Sequence, residues 1–230
     1  MTRSTLSKPQ LFHPSGVPMT FRFDASAHEY VANDTGEVLP HITGFLKAGQ
    51  LVDDRWFTEA HSERGRCVHT LTADYDLGAI EDPAESTSRH KGYLLAYAAA
   101  KRLLRPDWDY VEVPFVNWEA RFGGRPDRLG RVAGGVSLGD IKSGVEVKAK
   151  APVTGWRVVS VAAVQLALQA ILVAPTLKLP AESIFRYGIY VKSNGKFKVV
   201  PYTDARDFDV AYRLLRDYRA ATLEDMGGRP

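Results

Sequence analysis

Gly124-Arg125-Pro126-Asp127 is followed, 13 positions after its last residue, by Asp140-Ile141-Lys142-Ser143-Gly144, and these two motifs are the most informative part of the chain. The intervening residues 128–139 read as strand, Gly-Gly turn and strand, which predicts a hairpin that returns Asp127 to the side of Asp140. Successive side chains of a strand point to opposite faces, so Asp140 and Lys142 share one face while Ile141 turns into the core. The pattern therefore predicts two carboxylates and a lysine at the ends of neighbouring strands.

Carboxylates in this arrangement suit a hard divalent cation, and we expect Mg²⁺ or Mn²⁺ as the cofactor. Such a cation presents a bound water to a phosphodiester, and a lysine on the same face orients that water or neutralises charge on the phosphorane. An acid-x-Lys triplet arises by chance about once or twice in a chain of this length, and Glu146-Val147-Lys148 is a second one. We prefer Asp140-Ile141-Lys142 because an apolar alternation precedes it, a Ser-Gly turn follows it and Pro126-Asp127 lies one hairpin upstream.

These motifs resemble the signature of the PD-(D/E)XK nuclease superfamily, in particular its RecB-type, phage exonuclease-like branch. Gly65-Arg66-Cys67-Val68-His69 resembles the helical Gly-x-x-Val-His motif that precedes the sheet. Gln165 resembles the glutamine of the Gln-x-x-x-Tyr helix that follows the sheet, although Gln169 stands where the family usually has tyrosine. The similarity spans about residues 20–215. It implies an α/β fold with a central mixed β-sheet flanked by helices, a restriction-endonuclease-like core, an N-terminal β-hairpin and a C-terminal helix.

Pattern and resemblance together assign roles to a small set of residues. The catalytic candidates are Asp127, Asp140, Lys142 and Gln165. The resemblance implies that the metal ligands are His69, Asp127, Asp140 and the backbone carbonyl of Ile141, with Glu112 as a further acid at the edge of the site. The candidates for DNA binding are Arg66, Arg121, Arg125 and Arg128.

Each of these assignments has a structural alternative. A lone helical histidine such as His69 is usually a surface or satisfied core residue, although Gly65, one turn earlier on the same face, leaves space beside its imidazole. Gln165 lies on a helix that is apolar nearly all round, so it bonds either the backbone of the Asp140 strand or the attacking water and a DNA phosphate. Glu112 fits the solvated face of a half-buried strand. The basic residues fit solvated strand edges as well as phosphate contacts.

Composition indicates a single intracellular domain. At 230 residues and 45% hydrophobic content, the chain can bury one sizeable core, and we expect a flexible arm over residues 1–19 and one nuclease domain over residues 20–230. One cysteine, Cys67, excludes a disulfide framework within the chain and a four-cysteine iron-sulfur cluster, and fits a small buried hydrophobe. No apolar run reaches membrane length and the first 20 residues lack a signal-peptide core, so a cytoplasmic location is expected. The net charge of +3 tolerates a polyanionic partner.

These observations predict a Mg²⁺- or Mn²⁺-dependent deoxyribonuclease. The resemblance implies an end-dependent exonuclease in phage-type DNA recombination, repair or processing, with linear duplex or single-stranded DNA ends as its partner. The chain has no phosphate-binding loop of a nucleotide motor, so a recombinase or helicase partner would be a separate chain. The alternatives are a non-catalytic DNA-binding or assembly module on the same scaffold, and an endonuclease with the same site.

Hydrophobic periodicity and turn residues predict the order of elements. Strands are expected at residues 21–23, 28–32, 37–39, 110–118, 185–192 and 196–201, besides the hairpin that precedes Lys142. Helices are expected at about residues 53–75, 88–104, 158–173 and 204–223.

Overall fold

The computed structural model of the chain describes residues 20–52, 58–144, 148–149 and 159–227. Its strands are β1 (Phe21–Asp24), β2 (Glu29–Ala32), β3 (Val38–Leu39), β4 (Asp107–Val111), β5 (Phe115–Asn117), β6 (Phe122–Gly124), β7 (Arg128–Val132), β8 (Gly135–Lys142), β9 (Lys148–Ala149), β10 (Val159–Ser160), β11 (Phe185–Val191) and β12 (Phe197–Pro201). Its α-helices are α1 (Ile42–Ala48), α2 (Glu59–Asp76), α3 (Lys91–Leu104), α4 (Val161–Leu177) and α5 (Arg206–Gly227).

The centre of the fold is a mixed five-stranded sheet in the order β12-β11-β8-β7-β4. Strands β7 and β8 form the predicted antiparallel hairpin, with Val132 opposite Gly135 and Arg128 opposite Gly139. The two residues of the turn, Ala133 and Gly134, both have positive φ angles, +50° and +84°. A two-residue turn of this kind matches the twist of the flanking strands. The hairpin is confirmed, but the prediction of a Gly134-Gly135 turn is wrong: the turn lies one residue earlier, at Ala133-Gly134, and Gly135 is already in β8.

Helices cover both faces of this sheet. Helix α4 is the crossover between the parallel strands β8 and β11, and it is buried along most of its length. On the opposite face, Val68 of α2 and Tyr97 of α3 pack against Ile141 and Ile189. The alternation along β8 therefore directs Ile141 toward α2 and α3, and Asp140 and Lys142 toward α4. The predicted α/β architecture, including the C-terminal helix α5, is confirmed.

The N-terminal hairpin is part of a three-stranded antiparallel sheet in the order β1-β2-β3. It is followed by α1, whose buried residues join the main core beside α4. A second small hairpin, β5–β6, lies next to it, and an isolated bridge joins His41 to Gly123.

The prediction of a single strand over residues 110–118 is wrong. The structure divides it into β4, which ends at Val111, and β5, which begins at Phe115. Glu112 lies between them in a left-handed conformation, with φ +51°. A reversal of this kind breaks strand alternation, so the face on which Glu112 lies no longer follows from its position in the sequence.

The ends of α3, α4 and α5 were predicted to within four residues. The proposed arm over residues 1–19, the start of the helix predicted from residue 53 and the alternative acid Glu146 lie outside the described residues. Over the ranges described, no helix combines the length and the apolar character needed to span a membrane.

Candidate metal centre

Three side chains from separate elements converge at one end of the central sheet. His69 Nδ1 of α2 lies 3.1 Å from Glu112 Oε1 and 3.5 Å from Asp127 Oδ1. The ligand atoms of these three residues all lie within 4.8 Å of one another. We refer to His69, Glu112 and Asp127 as the acidic cluster.

Asp127 is oriented by the hairpin that follows it. It is the residue before β7, and since Arg128 pairs with Gly139, Asp127 comes opposite Asp140 at the open end of the ladder. Its Oδ2 accepts a hydrogen bond from the backbone N–H of Ile141 at 2.7 Å, and its own carbonyl accepts one from the N–H of Glu112 at 3.0 Å. The backbone of Asp127 is therefore held by Glu112 and its side chain by β8, with Oδ1 directed at His69.

Asp140, Lys142 and Gln165 form a second group on the α4 face of the sheet. Lys142 Nζ lies 3.0 Å from Asp140 Oδ1 and donates a hydrogen bond to Gln165 Oε1 at 3.2 Å. Gln165 Nε2 in turn donates to Asp140 Oδ1 at 3.4 Å. Gln165 thus forms hydrogen bonds with the side chains of Lys142 and Asp140. Its structural alternative predicts bonds to the backbone of the Asp140 strand instead.

Asp140 is the most deeply buried acid of the site. Its exposed fraction is 0%, and its Oδ2 has no hydrogen-bond partner among the residues described. A buried carboxylate oxygen without a donor is costly, because its hydration is lost without replacement. An additional ligand next to Asp140 would remove that cost.

The charges of the two groups act on one another. Burial raises the pKa of Asp140 to about 6, against the opposing effect of Lys142 and with a contribution from Asp127. The Asp127 carboxylate, opposed by burial and assisted by Glu112, raises the pKa of His69 to about 8. Burial disfavours the Lys142 ammonium, but Asp140 and Asp127 outweigh it and hold the pKa of Lys142 above its usual value. The three carboxylates of the site are balanced by Lys142, the His69 imidazolium and Arg125, so a metal cation that binds here displaces the proton of His69.

The donor atoms present fit a divalent cation. The acidic cluster offers two carboxylates and one imidazole, and the unpartnered Oδ2 of Asp140 adds a hard oxygen. The N–H and C=O of one strand residue point toward the same neighbour. The carbonyl of Ile141 therefore lies on the Asp127 side of β8, as its N–H does. Carboxylate and carbonyl oxygens, which make up most of this set, are the ligands that Mg²⁺ and Mn²⁺ prefer.

Glu112 lies closer to the centre of the site than predicted. Its left-handed backbone turns the carboxylate onto His69 instead of onto a solvated strand face. The sequence signal for this position is weak, because Glu112 occupies what reads as a continuous strand.

The four arginines proposed for DNA binding lie in different environments. Arg125 remains at the site, with Nε 3.2 Å from Glu112 Oε2, and Arg66 is exposed on α2 one turn before His69. Arg121 instead forms an ion pair with Glu37, and both line a separate cleft of about 790 Å³ between the N-terminal sheet and α5.

The prediction that Arg128 contacts DNA is wrong. Its side chain is 0% exposed, and Nε lies 2.5 Å from Asp76 Oδ2, whose side chain is 1% exposed. Tyr97 and Lys101 of α3 also contact Asp76. Arg128 therefore belongs to a buried ionic network that joins β7 to α2 and α3 beneath the acidic cluster. No sequence pattern marks this network, because Asp76 and Arg128 are 52 residues apart.

Three further residues named in the sequence analysis have different environments. A Cβ at Gly65 would meet nothing within 4 Å, so the space beside the helix is open. Gln169 is 2% exposed and its Oε1 has no partner in the described ranges. Cys67 is partly exposed rather than fully buried.

No protein-family model and no curated protein sequence matches the chain. Among solved structures, the chain is similar to the crystal structure of a protein from Eubacterium rectale named "Putative exonuclease", determined at 2.19 Å resolution. The TM-score is 0.50 at 10% sequence identity, and the match covers 83% of this chain and 82% of that one. At this identity the likeness shows a shared fold.

Proposed function

We propose that the protein is a metal-dependent deoxyribonuclease of the PD-(D/E)XK type, with residues 20–230 as one nuclease domain. The proposal rests on one observation: two groups of side chains lie next to each other at one end of the central sheet. The acidic cluster lies where Asp127 precedes β7, and the Asp140, Lys142 and Gln165 group lies where β8 ends. The similarity to a protein named as an exonuclease supports the same reaction class.

The residues that would hold Mg²⁺ or Mn²⁺ are His69, Glu112, Asp127, Asp140 and the carbonyl of Ile141. When bound, such a cation polarises a phosphoryl oxygen and lowers the pKa of a coordinated water. Asp140 suits this role because its Oδ2 is buried without a protein donor. Asp127 suits it because the Ile141 N–H already holds Oδ2 and leaves Oδ1 directed at His69.

Lys142 provides the positive charge of the reaction centre. Its side chain is 34% exposed at the end of β8, and Asp140 and Gln165 hold its ammonium from two sides. From this position Lys142 orients the attacking water and stabilises charge that develops on the phosphorane. Gln165 positions Lys142 and Asp140 relative to one another.

We propose linear DNA as the substrate, degraded from an end, with Arg125 and Arg66 as phosphate contacts. A single strand that threads past α2, which lines one side of the site through His69, is most easily unpaired at a terminus. An endonuclease with the same residues and a non-catalytic DNA-binding module are the alternatives. A recombinase or helicase partner would be a separate chain.

The test incubates the full chain with linear duplex, single-stranded and covalently closed circular DNA, with Mg²⁺, Mn²⁺ or EDTA. We expect metal-dependent degradation of the linear substrates and survival of the closed circles. Rapid cutting of closed circles would identify an endonuclease. Binding of DNA without hydrolysis in either metal would identify the non-catalytic module.

A further inference from the structure

Arg125 joins the acidic cluster to the N-terminal sheet. Its Nε is 3.2 Å from Glu112 Oε2, and its guanidinium carbon lies 5.6 Å from the centroid of the Phe23 ring of β1. The side chain is 36% exposed. Among the described residues, no protein acceptor bonds the two terminal amino groups of the guanidinium, so these donors are available to a ligand.

The two oxygens of Glu112 have different partners. Oε1 lies 3.1 Å from His69 Nδ1, inside the acidic cluster, whereas Oε2 faces Arg125. One oxygen of the Glu112 carboxylate therefore lies among the proposed metal ligands, and the other contacts the guanidinium of Arg125. This places an exposed cation directly beside the proposed metal ligands.

The N-terminal sheet is packed closely against the segment that leads to Arg125. A Cβ at Gly123 would lie 2.2 Å from Cγ of Tyr30, so the ring of Tyr30 rests directly on the backbone of β6. Tyr30 is 0% exposed, and its ring centroid is 4.9 Å from that of Phe23. The N–H of Gly123 also donates to the carbonyl of Pro40 at 2.9 Å. Phe23 is consequently held in a defined position from which its ring faces Arg125.

We infer that Arg125 binds a backbone phosphate of the substrate adjacent to the cleaved one, and that Phe23 positions its guanidinium for this contact. The inference rests on the proposed nuclease function and deepens it, because it makes the N-terminal sheet part of the substrate-binding site. A guanidinium presents its donors as a planar fork that matches phosphate oxygens. An aromatic ring beside that plane restricts its rotation and adds a cation–π attraction.

The first experiment measures binding of a fluorescein-labelled linear duplex to the full chain by anisotropy in EDTA, across a salt series. For Arg125→Ala we expect about tenfold weaker binding. The salt slope, which is the slope of the logarithm of the binding constant against the logarithm of the salt concentration, should be smaller by about 1, as for the loss of one phosphate contact. The matched control is Arg22→Ala, which also removes one positive charge, but from the exposed face of β1 opposite Phe23. Its affinity and salt slope should equal those of the wild type.

The second experiment tests Phe23 through steady-state cleavage with Mn²⁺. Phe23→Leu keeps an apolar side chain and should raise KM about two- to fivefold with kcat unchanged. Phe23→Tyr retains the ring and should restore the wild-type KM. A fall in kcat with no change in KM, or no rescue by tyrosine, would show that Phe23 only supports the fold.

The outcomes separate this inference from the proposed function. If wild-type protein cleaves DNA and Arg125→Ala binds with unchanged affinity and salt slope, the inference is overturned and the nuclease function stands. If wild-type protein binds but does not cleave, the nuclease function fails, and the anisotropy comparison still decides the role of Arg125. Loss of Mn²⁺ binding in Arg125→Ala, measured by calorimetry, would show that Arg125 acts only through Glu112 and would also overturn the inference.

Discussion

The backbone N–H of Ile141 donates a hydrogen bond to Asp127 Oδ2 over 2.7 Å. This contact occupies one carboxylate oxygen and leaves Oδ1 3.5 Å from His69 Nδ1. Because the donor belongs to β8 and the acceptor precedes β7, the orientation of Asp127 depends on the register of the hairpin. A shift of one residue would reverse the faces of Asp140 and Ile141 and remove the contact.

Replacing Lys142 by alanine should abolish cleavage and leave the fold intact. The ammonium neutralises Asp140 and faces the reaction centre, and its side chain is 34% exposed at a strand end. Loss of one stabilising group of this kind lowers kcat by about a hundredfold or more. The measurement is kcat with Mn²⁺ on linear duplex, with circular dichroism as the test of folding.

The choice of triplet is tested by comparing Asp140→Asn with Glu146→Gln. We expect the first variant to be inactive and the second to retain wild-type turnover. The reverse result would assign catalysis to Glu146-Val147-Lys148. Wild-type turnover by a folded Lys142→Ala protein would remove lysine from the mechanism.

Metal binding should depend on Asp127, Asp140 and Glu112. Calorimetric titration with Mn²⁺ should show binding to the wild type and none to Asp127→Asn, Asp140→Asn or Glu112→Gln. The matched control is Cys67→Ala on α2, a partly exposed residue two positions before His69. Its Mn²⁺ affinity should be unchanged. Binding retained by all three acid variants would place the metal elsewhere.

The affinity for Mn²⁺ should rise with pH up to about pH 8. The Asp127 carboxylate raises the pKa of His69 to about 8, so at lower pH a metal must displace a proton from the imidazole. One released proton corresponds to about a tenfold gain in apparent affinity per pH unit below the pKa, and to none above it. Below about pH 6 the slope should steepen, because burial raises the pKa of Asp140 to about 6.

The control for this pH dependence is His69→Gln, which cannot hold the proton. Its affinity for Mn²⁺ should be lower than that of the wild type and flat between pH 6.5 and 8. The same rise with pH in His69→Gln would mean that another group releases the proton.

Truncation of Arg128 should destabilise the protein strongly. Its side chain is 0% exposed and pairs with Asp76. Arg128→Ala therefore leaves the buried Asp76 carboxylate with less positive charge to balance it. Breaking a buried pair in this way costs about 3–5 kcal/mol in the free energy of unfolding. Urea denaturation followed by circular dichroism measures it. The control is Arg216→Ala on α5, where the side chain is 71% exposed and the expected change is below about 0.5 kcal/mol.

The double variant Arg128→Met and Asp76→Asn distinguishes lost charge from lost packing. Removing both charges should recover part of the stability lost in Arg128→Ala, because no uncompensated ion remains buried. If Arg128→Ala is as stable as wild type, Arg128 is not buried as described and its assignment to DNA binding returns.

Local sequence rules predict the hairpin and the face of the sheet on which each of its side chains lies. A strand has a period of two, so Asp140 and Lys142 share a face, and Gly134 suits one of the two positive φ angles of the tight turn, whereas Ala133 adopts the other. The register, however, does not follow from the predicted Gly134-Gly135 turn, which would set Asp127 opposite Lys142; the observed turn at Ala133-Gly134 brings Asp127 opposite Asp140. The apolar sequence of α4 likewise predicted its burial.

Which side chains complete the site depends on contacts between distant parts of the chain. The direction of Glu112 depends on a left-handed residue between β4 and β5, a conformation that a non-glycine residue adopts only when its surroundings stabilise it. The sequence around Arg128 predicts a phosphate ligand, but Asp76, 52 residues earlier, neutralises the guanidinium inside the protein. Both outcomes depend on partners that are distant in the chain, and local propensity carries no information about which distant charges a buried side chain will meet.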